Sequence, residues 1–265
     1  MTGGFWVDHR GERQDHPAVI ARAARSQVVL LGERHDRADH HRWQLHVAVA
    51  LAGHRPVTLG FEMFPARVDP VLADWVAGKL SEDAFLETVG WSEVWGFPAE
   101  LYLPLFRFCR EMGIPMVGLN VRRELVRNTR LSGWDNVADD LKEGLTRPRP
   151  SPDAYRNFIF DLTRGARSDA APQSAHDPAF DGFLAAQEVW DRAFATRLAR
   201  IVQADPARLG IGIIGMGHLQ FGGGVSWQLK DLGIADSFVM VPRDVGDAVD
   251  PAAATATWLT ASRLD

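Results

Sequence analysis

Val28-Val29-Leu30-Leu31-Gly32-Glu33-Arg34-His35 and, far downstream, Ile211-Gly212-Ile213-Ile214-Gly215-Met216-Gly217-His218 share one pattern: an apolar run, a glycine, and a histidine three residues on. Short apolar, β-branched runs closed by glycine read as buried strands. Runs without polar alternation mark strands covered on both faces, as in parallel sheets. In open parallel sheets, ligands bind just beyond the carboxyl ends of the strands. The two stretches are therefore expected to meet at one rim of one sheet, bringing two imidazoles and at least one carboxylate together.

Working outward, strands are expected at 28–31, 57–62, 114–119, 210–214 and 237–241, with helical periodicity at 17–25, 39–52, 69–77, 82–89, 98–112 and 225–232. Strands alternating with helices at this spacing predict an α/β fold, a largely parallel sheet flanked by helices. From about 122 to 205 no strand pattern occurs. Helical patches at 131–145 and 185–202 lie among the breakers Arg147-Pro148-Arg149-Pro150-Ser151-Pro152 and Ala170-Ala171-Pro172-Gln173-Ser174. This stretch reads as a smaller helical insertion or cap within a single domain spanning 1–265, the second breaker being an exposed loop.

Composition narrows the function. The 265 residues are 46% hydrophobic and 24% charged, as in ordinary globular proteins, and a net charge of −5 offers no basic footprint for nucleic acid. The single cysteine, Cys109, excludes an internal disulfide and a cysteine-based metal site, and reads as a small buried side chain. No window approaches the ~18 apolar residues of a membrane span, and the start, Met1-Thr2-Gly3-Gly4-Phe5-Trp6, lacks a signal pattern. As written, the chain is expected to be cytoplasmic, or periplasmic if a leader preceded it. Nine Trp and fourteen Phe against two Tyr fit a Trp-rich core or an aromatic pocket for a flat ligand.

Glu33 and His35 are two positions apart, so an extended backbone points both the same way. Carboxylate plus imidazole suits a metal ion or an acid–base pair. Five of the nine histidines fall between His35 and His54. Asp36 or Asp39 is expected to cap the helix that follows. His40 and His41 are open between surface placement and orienting or stacking on a ligand; His46 and His54 read as ordinary boundary residues. Glu62 closes the second strand among apolar neighbours, where a carboxylate needs a partner. Asn120 closes the third, followed by Arg122 and Arg123, which serve as a solvated face or as partners for ligand carboxylates. His218 sits between glycines that permit a sharp turn. Gly222-Gly223-Gly224, leading into a helix, matches neither the dinucleotide nor the phosphate-loop pattern. No Gly-x-Ser-x-Gly elbow is present, which argues against a serine nucleophile.

Taken together, Gly32-Glu33-Arg34-His35-Asp36 with His40, His41 and Gln44, Phe61-Glu62-Met63-Phe64, the Trp91 to Trp95 stretch, Leu101-Tyr102-Leu103-Pro104-Leu105-Phe106, Asn120 with Arg123-Glu124-Leu125, Ala186-Gln187 with Asp191, and the Gly215 to His218 turn resemble the ChaN-like haem-binding family of the Tiki and erythromycin-esterase-like superfamily. Order and spacing agree over most of the chain, with about 131–177 unmatched. The resemblance implies a parallel sheet flanked by helices, a ligand site at the strand ends, and haem or iron as the bound species. It implies a homodimer around paired haems for some members, and metal-dependent peptidases or esterases elsewhere in the superfamily. The lipoprotein members' leader and lipid-attachment cysteine have no counterpart near Met1.

Three functions follow as expectations. The first is haem or iron binding for uptake or trafficking. Tyr102, His35, His40, His41 and His218 are the available iron ligands, with Met63 and Met216 as softer ones; Trp91, Trp95 and Phe97 wall the slot, and Arg123 stands at its edge. Tyr102 is equally read as a packed core tyrosine. The second is a hydrolase dependent on Mn, Co or Zn, with Glu33, His35, Glu62 and His218 as ligands and base. The third is a metal-free, esterase-like hydrolase with His35 or His218 as base.

Overall fold

The computed structural model describes residues 3–8, 10–164 and 172–260. Its strands are β1 (Phe5–Val7), β2 (Arg13–Gln14), β3 (Val28–Glu33), β4 (Val57–Pro65), β5 (Met116–Asn120), β6 (Leu209–Gly215), β7 (Ser237–Asp244) and β8 (Ala256–Thr260). The helices are α1 (His16–Ala23), α2 (Ala38–Ala52), α3 (Asp69–Val76), α4 (Glu82–Val89), α5 (Trp91–Val94), α6 (Leu103–Glu111), α7 (Arg123–Ser132), α8 (Asp153–Leu162), α9 (Pro178–Ala204) and α10 (Gly224–Asp231).

The strands form one sheet in the order β2-β1-β8-β7-β3-β6-β4-β5. From β8 to β5 every pairing is parallel, and β1 runs antiparallel to β8 and β2. The sheet is the expected α/β arrangement, covered on both faces. Alternate residues of β3 show this: Val29 and Leu31 join a core with Trp43 of α2, Trp75 of α3 and Phe106 of α6, whereas Val28 and Leu30 join one with Leu125 of α7, Leu198 of α9 and Leu229 of α10. Period-two alternation thus sends neighbours to opposite layers while both remain apolar.

Several boundaries move. β3 runs on through Glu33 and β4 through Pro65, so the expected strand-end carboxylates lie within paired or extended backbone. The helix expected over 98–112 is broken: a 3₁₀ turn at Ala99–Leu101 precedes α6, with Pro104 in the first helical turn, where its missing N–H costs nothing. The patch at 131–145 is not a helix. α7 ends at Ser132 because Gly133 takes φ 79°, and two 3₁₀ turns follow. β1 and β2 carry no sequence signal strong enough to predict, being 3 and 2 residues long, and β8 has no continuous apolar run. Neither Asp36 nor Asp39 caps α2, whose N-cap position is Arg37. The Arg37 guanidinium instead bonds Asp39 and Asp244, tying the start of α2 to the end of β7. That hydrogen bond is the main reason Asp39 is lowered to about 2. Of the breaker at 170–174, residues 170 and 171 lie outside the described residues.

One irregularity positions the site. The pairing of β4 with β5 shifts between Phe61 and Pro65, and Asn120 secures the bulge by donating from Nδ2 to the Glu62 carbonyl at 2.9 Å. Gly118 of β5 faces this bulge, where a Cβ would stand 2.6 Å from the Phe64 oxygen and 2.7 Å from that of Pro65. Both obstacles are backbone, so Gly118→Ala is expected to cost about 1–3 kcal/mol in urea unfolding, as overpacked sites do. Unchanged stability would show that the bulge is free to relax.

Candidate functional site

The carboxyl ends of β3, β6 and β4 are adjacent, and each delivers a charged group to the same place. Glu33 closes β3 on the face shared by Val29 and Leu31 and is 2% exposed. His35 Nδ1 is 2.7 Å from its Oε1, and His41 Nε2 of α2 is 3.0 Å from its Oε2. Tyr102 donates to Glu33 Oε1 at 3.2 Å. A carboxylate buried this deeply needs such partners. Gln44 carries the support one layer back: its Oε1 lies 3.2 Å from His41 Nδ1, and its Nε2 donates to the Leu31 carbonyl.

Glu62, also buried, faces the other layer. Its Oε2 accepts the Gly215 N–H at 2.6 Å, tying β4 to β6. Its Oε1 lies 4.0 Å from His35 Nε2 and 3.6 Å from His218 Nε2. The two glycine–histidine stretches therefore converge on a single carboxylate oxygen, as the strand-end argument requires. A Cβ on Gly215 would approach His35 Cε1 to 2.8 Å, so glycine is needed beneath that ring.

His218 is held like His35. Its Nδ1 is 2.7 Å from Asp191 Oδ1 of α9, a wholly buried carboxylate, and Gln187 Nε2 stands 2.9 Å from the same nitrogen. Each imidazole is thus pinned by an acid through Nδ1 and presents Nε2 to the space beside Glu62. One ligand atom each from Glu33, His35 and Glu62 lie within 4.8 Å of one another, a group able to hold a metal ion.

Two clefts flank the histidine pair and share His35, Phe97 and His218. The first, about 570 Å³, lies over β4 and β5. Met63, Val94, Trp95, Phe97 and Trp190 form apolar walls, with Arg67, Arg122 and Arg123 among its lining residues. The second, about 680 Å³, lies toward β7, with Phe158, Ile159 and Leu162 of α8, Met216, Arg34 and Arg243. Trp95 stands edge-on to His35, ring centres 4.8 Å apart.

Charge compensation sets the protonation. Burial alone would lower His35, but the hydrogen bond with Glu33 and the charge of Glu62 outweigh it and push the ring up to about 9. Burial likewise opposes charge on His218, and Asp191 and Glu62 raise it nonetheless. Burial, opposed by His218, raises Asp191. Burial and the neighbouring Glu33 push the Tyr102 phenol far up, so it stays a donor.

Not every expected residue reaches the clefts. Tyr102 is fully buried behind Glu33 and lines neither. Trp91 packs against Tyr102, Phe64 and Phe106 and donates its indole N–H to the Phe97 carbonyl. His40 turns away: its Nδ1 accepts the Arg34 N–H at 3.0 Å, and burial lowers the ring to about 4. His41 supports Glu33 from behind, and Arg123 lines the first cleft while donating to the Val94 carbonyl. Sequence reasoning passed over Tyr155, whose hydroxyl meets Asp191, because it lies in a stretch without strand signal or recognisable motif. The pattern Gln187-x-x-x-Asp191, one helical turn apart on α9, was the signal for the His218 supports.

Similar proteins share this architecture. The structure superposes on ChaN of Campylobacter jejuni, described as showing cofacial haem binding, with a TM-score of 0.71 at 14% identity over 98% of this chain and 97% of that one. It is also similar to a mutant of the erythromycin esterase EreC in its open conformation (TM-score 0.53, 15% identity, 90% of this chain and 77% of that one). The type III effector HopBA1 gives a TM-score of 0.51 at 14% identity over 90% and 89%. At such identities the likeness establishes the fold. No curated protein matches the chain. Among the described residues no helix is long and apolar enough to cross a membrane. A family profile, described as haem-binding uptake, Tiki superfamily, ChaN, matches residues 19–229, so the chain belongs to the ChaN family of haem-binding proteins.

Proposed function

We propose that this chain binds haem in the cleft walled by Trp95 and Phe97, with Nε2 of His35 and of His218 as the iron-facing donors, and that it serves haem uptake or trafficking. The observation that carries the reading is the pair of imidazoles, each fixed through Nδ1 by a buried acid and each turning Nε2 toward Glu62 Oε1 at the wall of an apolar cleft. The donor set fits the group: imidazole nitrogen for iron, aromatic and aliphatic walls for a macrocycle, and Arg67, Arg122 and Arg123 for its carboxylates. Haem would supply an iron centre that accepts an imidazole nitrogen. The chain's own residues orient that nitrogen, exclude water with Trp95 and Phe97, and neutralise charge at the edge. The family resemblance implies a homodimer around paired haems in some members, so haem addition is expected to increase the mass of the particle in sedimentation to that of two copies.

A second reading takes the His35 and Glu62 part of the metal-capable group of Glu33, His35 and Glu62, with His218 beside it. Both oxygens of Glu33 are already taken by His35, His41 and Tyr102, so the atoms left facing the cleft are Glu62 Oε1, His35 Nε2 and His218 Nε2. A divalent ion held there would act as a Lewis acid for hydrolysis. Metal-free base catalysis is the weakest alternative, because a ring raised to about 9 is protonated at neutral pH and has no lone pair to offer.

Haemin titration is expected to give a saturable Soret shift at near-stoichiometric haemin, weakened roughly tenfold or more by His218→Ala or His35→Ala. No saturable shift rejects haem binding. Stoichiometric Mn, Co or Zn in protein purified without added metal, with ester or amide turnover lost on chelation, favours the second reading.

The haem-free protein carries a further signature. His35 is raised from 6.5 to about 9 in the folded chain, so its charge stabilises the fold fully below pH 6.5, and this contribution fades as pH climbs toward 9. Urea unfolding is expected to lose about 2 kcal/mol across that window, less than the full shift implies because solvent screens the partly exposed ring. His35→Gln should flatten the slope; an unaltered slope would place its origin in another group.

A further inference from the structure

Tyr155 of α8 is one of two tyrosines in the chain and is fully buried. Its hydroxyl lies 2.9 Å from Asp191 Oδ2 and 3.0 Å from the Gly217 carbonyl, and it accepts from Gln187 Nε2 at 3.2 Å. Gln187 Nε2 in turn stands 2.9 Å from His218 Nδ1, and Asp191 Oδ1 lies 2.7 Å from that nitrogen. The four side chains form a closed ring of polar contacts.

The torsion that sets the plane of an aspartate carboxylate is soft. With one oxygen on a histidine, Asp191 could still swing about that contact. The second oxygen is what fixes its plane, and the group positioned to fix it is the Tyr155 hydroxyl. The loop after β6 is built to admit that phenol. A Cβ on Gly223 would collide with Cβ of Tyr155, and one on Gly224 would collide with the His218 carbonyl and stand 3.2 Å from the Tyr155 hydroxyl. Gly224 also takes φ +57°, which a side chain would strain. The glycine run has the look of an anion cradle in sequence, but in the fold it is the seat for an aromatic ring.

We propose that Tyr155 is a positioning residue for the cleft: its hydroxyl sets the plane of Asp191, and Asp191 aims the Nε2 of His218 toward Glu62. This rests on His218 as an iron-facing donor, although the aiming itself belongs to the ligand-free chain. Loss of an outer partner of this kind lowers affinity by about 10- to 100-fold in metal sites.

The test uses the full chain. In haem-free protein, ring-nitrogen NMR signals of His218 should form one narrow set in the parent and a broadened or doubled set in Tyr155→Phe, which removes only the oxygen. Haemin affinity should fall by about 10- to 100-fold in the same variant. Phe160→Leu on the same helix, which lines neither cleft, is the control, expected to lower stability while leaving the His218 signals narrow. Should Tyr155→Phe fail to fold, Gly223→Ala, which displaces the ring and keeps the hydroxyl, is expected to broaden the same signals. Unchanged His218 signals in a folded Tyr155→Phe overturn the proposal, whatever haemin does. Absence of haemin binding in the parent would instead reject the haem reading and leave the NMR outcome to decide the role of Tyr155.

Discussion

Three carboxylates, Glu33, Glu62 and Asp191, are buried at one rim of one sheet, and a buried carboxylate is tolerated only when paired. The rest of the site follows from that constraint. Each acid takes an imidazole: Glu33 takes His35 and His41, Asp191 takes His218, and Glu62 faces both cleft histidines while also accepting a backbone N–H from β6. Removing Asp191 would strip His218 of the acid on its Nδ1, and removing His218 would leave the Asp191 carboxylate buried without an imidazole. The cluster therefore holds itself in place as a unit.

The sheet supplies the coordinates for this cluster. Parallel strands β3, β6 and β4 end side by side, and period-two alternation decides which layer Glu33 and Glu62 face. Glu33 follows the parity of Leu31 toward α2 and α6, where His41 and Tyr102 wait. Glu62 sits at the bulge of β4 and turns toward β6 and His218. The long helix α9 belongs to the second layer and brings Gln187 and Asp191, one turn apart, to His218. The aromatic layer of Trp75, Phe85, Phe106 and Tyr102 keeps water from the back of Glu33.

The arrangement has a chemical consequence. With Nδ1 of both imidazoles committed to acids, the ring nitrogens on offer to the cleft are the two Nε2 atoms, and on His35, raised to about 9, a proton holds that place in the ligand-free chain at neutral pH. Any cation that enters must displace it, so binding and protonation compete.

The glycine–histidine stretches, the parallel sheet and the convergence of Glu33, His35, Glu62 and His218 were legible in sequence, because apolar continuity marks buried strands and strand ends mark sites. The strands β1 and β2 were not, since two or three residues carry too little pattern, nor was β8, whose Ala256-Thr257-Trp258-Leu259-Thr260 has no continuous apolar run, and the helix over 131–145 failed on one glycine. Sequence also could not sort the aromatic and imidazole residues. Tyr102, Trp91 and His40 have the composition of ligands or walls, yet packing turned Tyr102 and Trp91 into the core and His40 toward a backbone amide. Tyr155 had no local signature at all, because its role arises from the meeting of α8, α9 and the β6 loop, elements distant in the chain. Local pattern determines which residues stand at the rim; only the packing of helices against the sheet decides which way each side chain there points and which partner it finds.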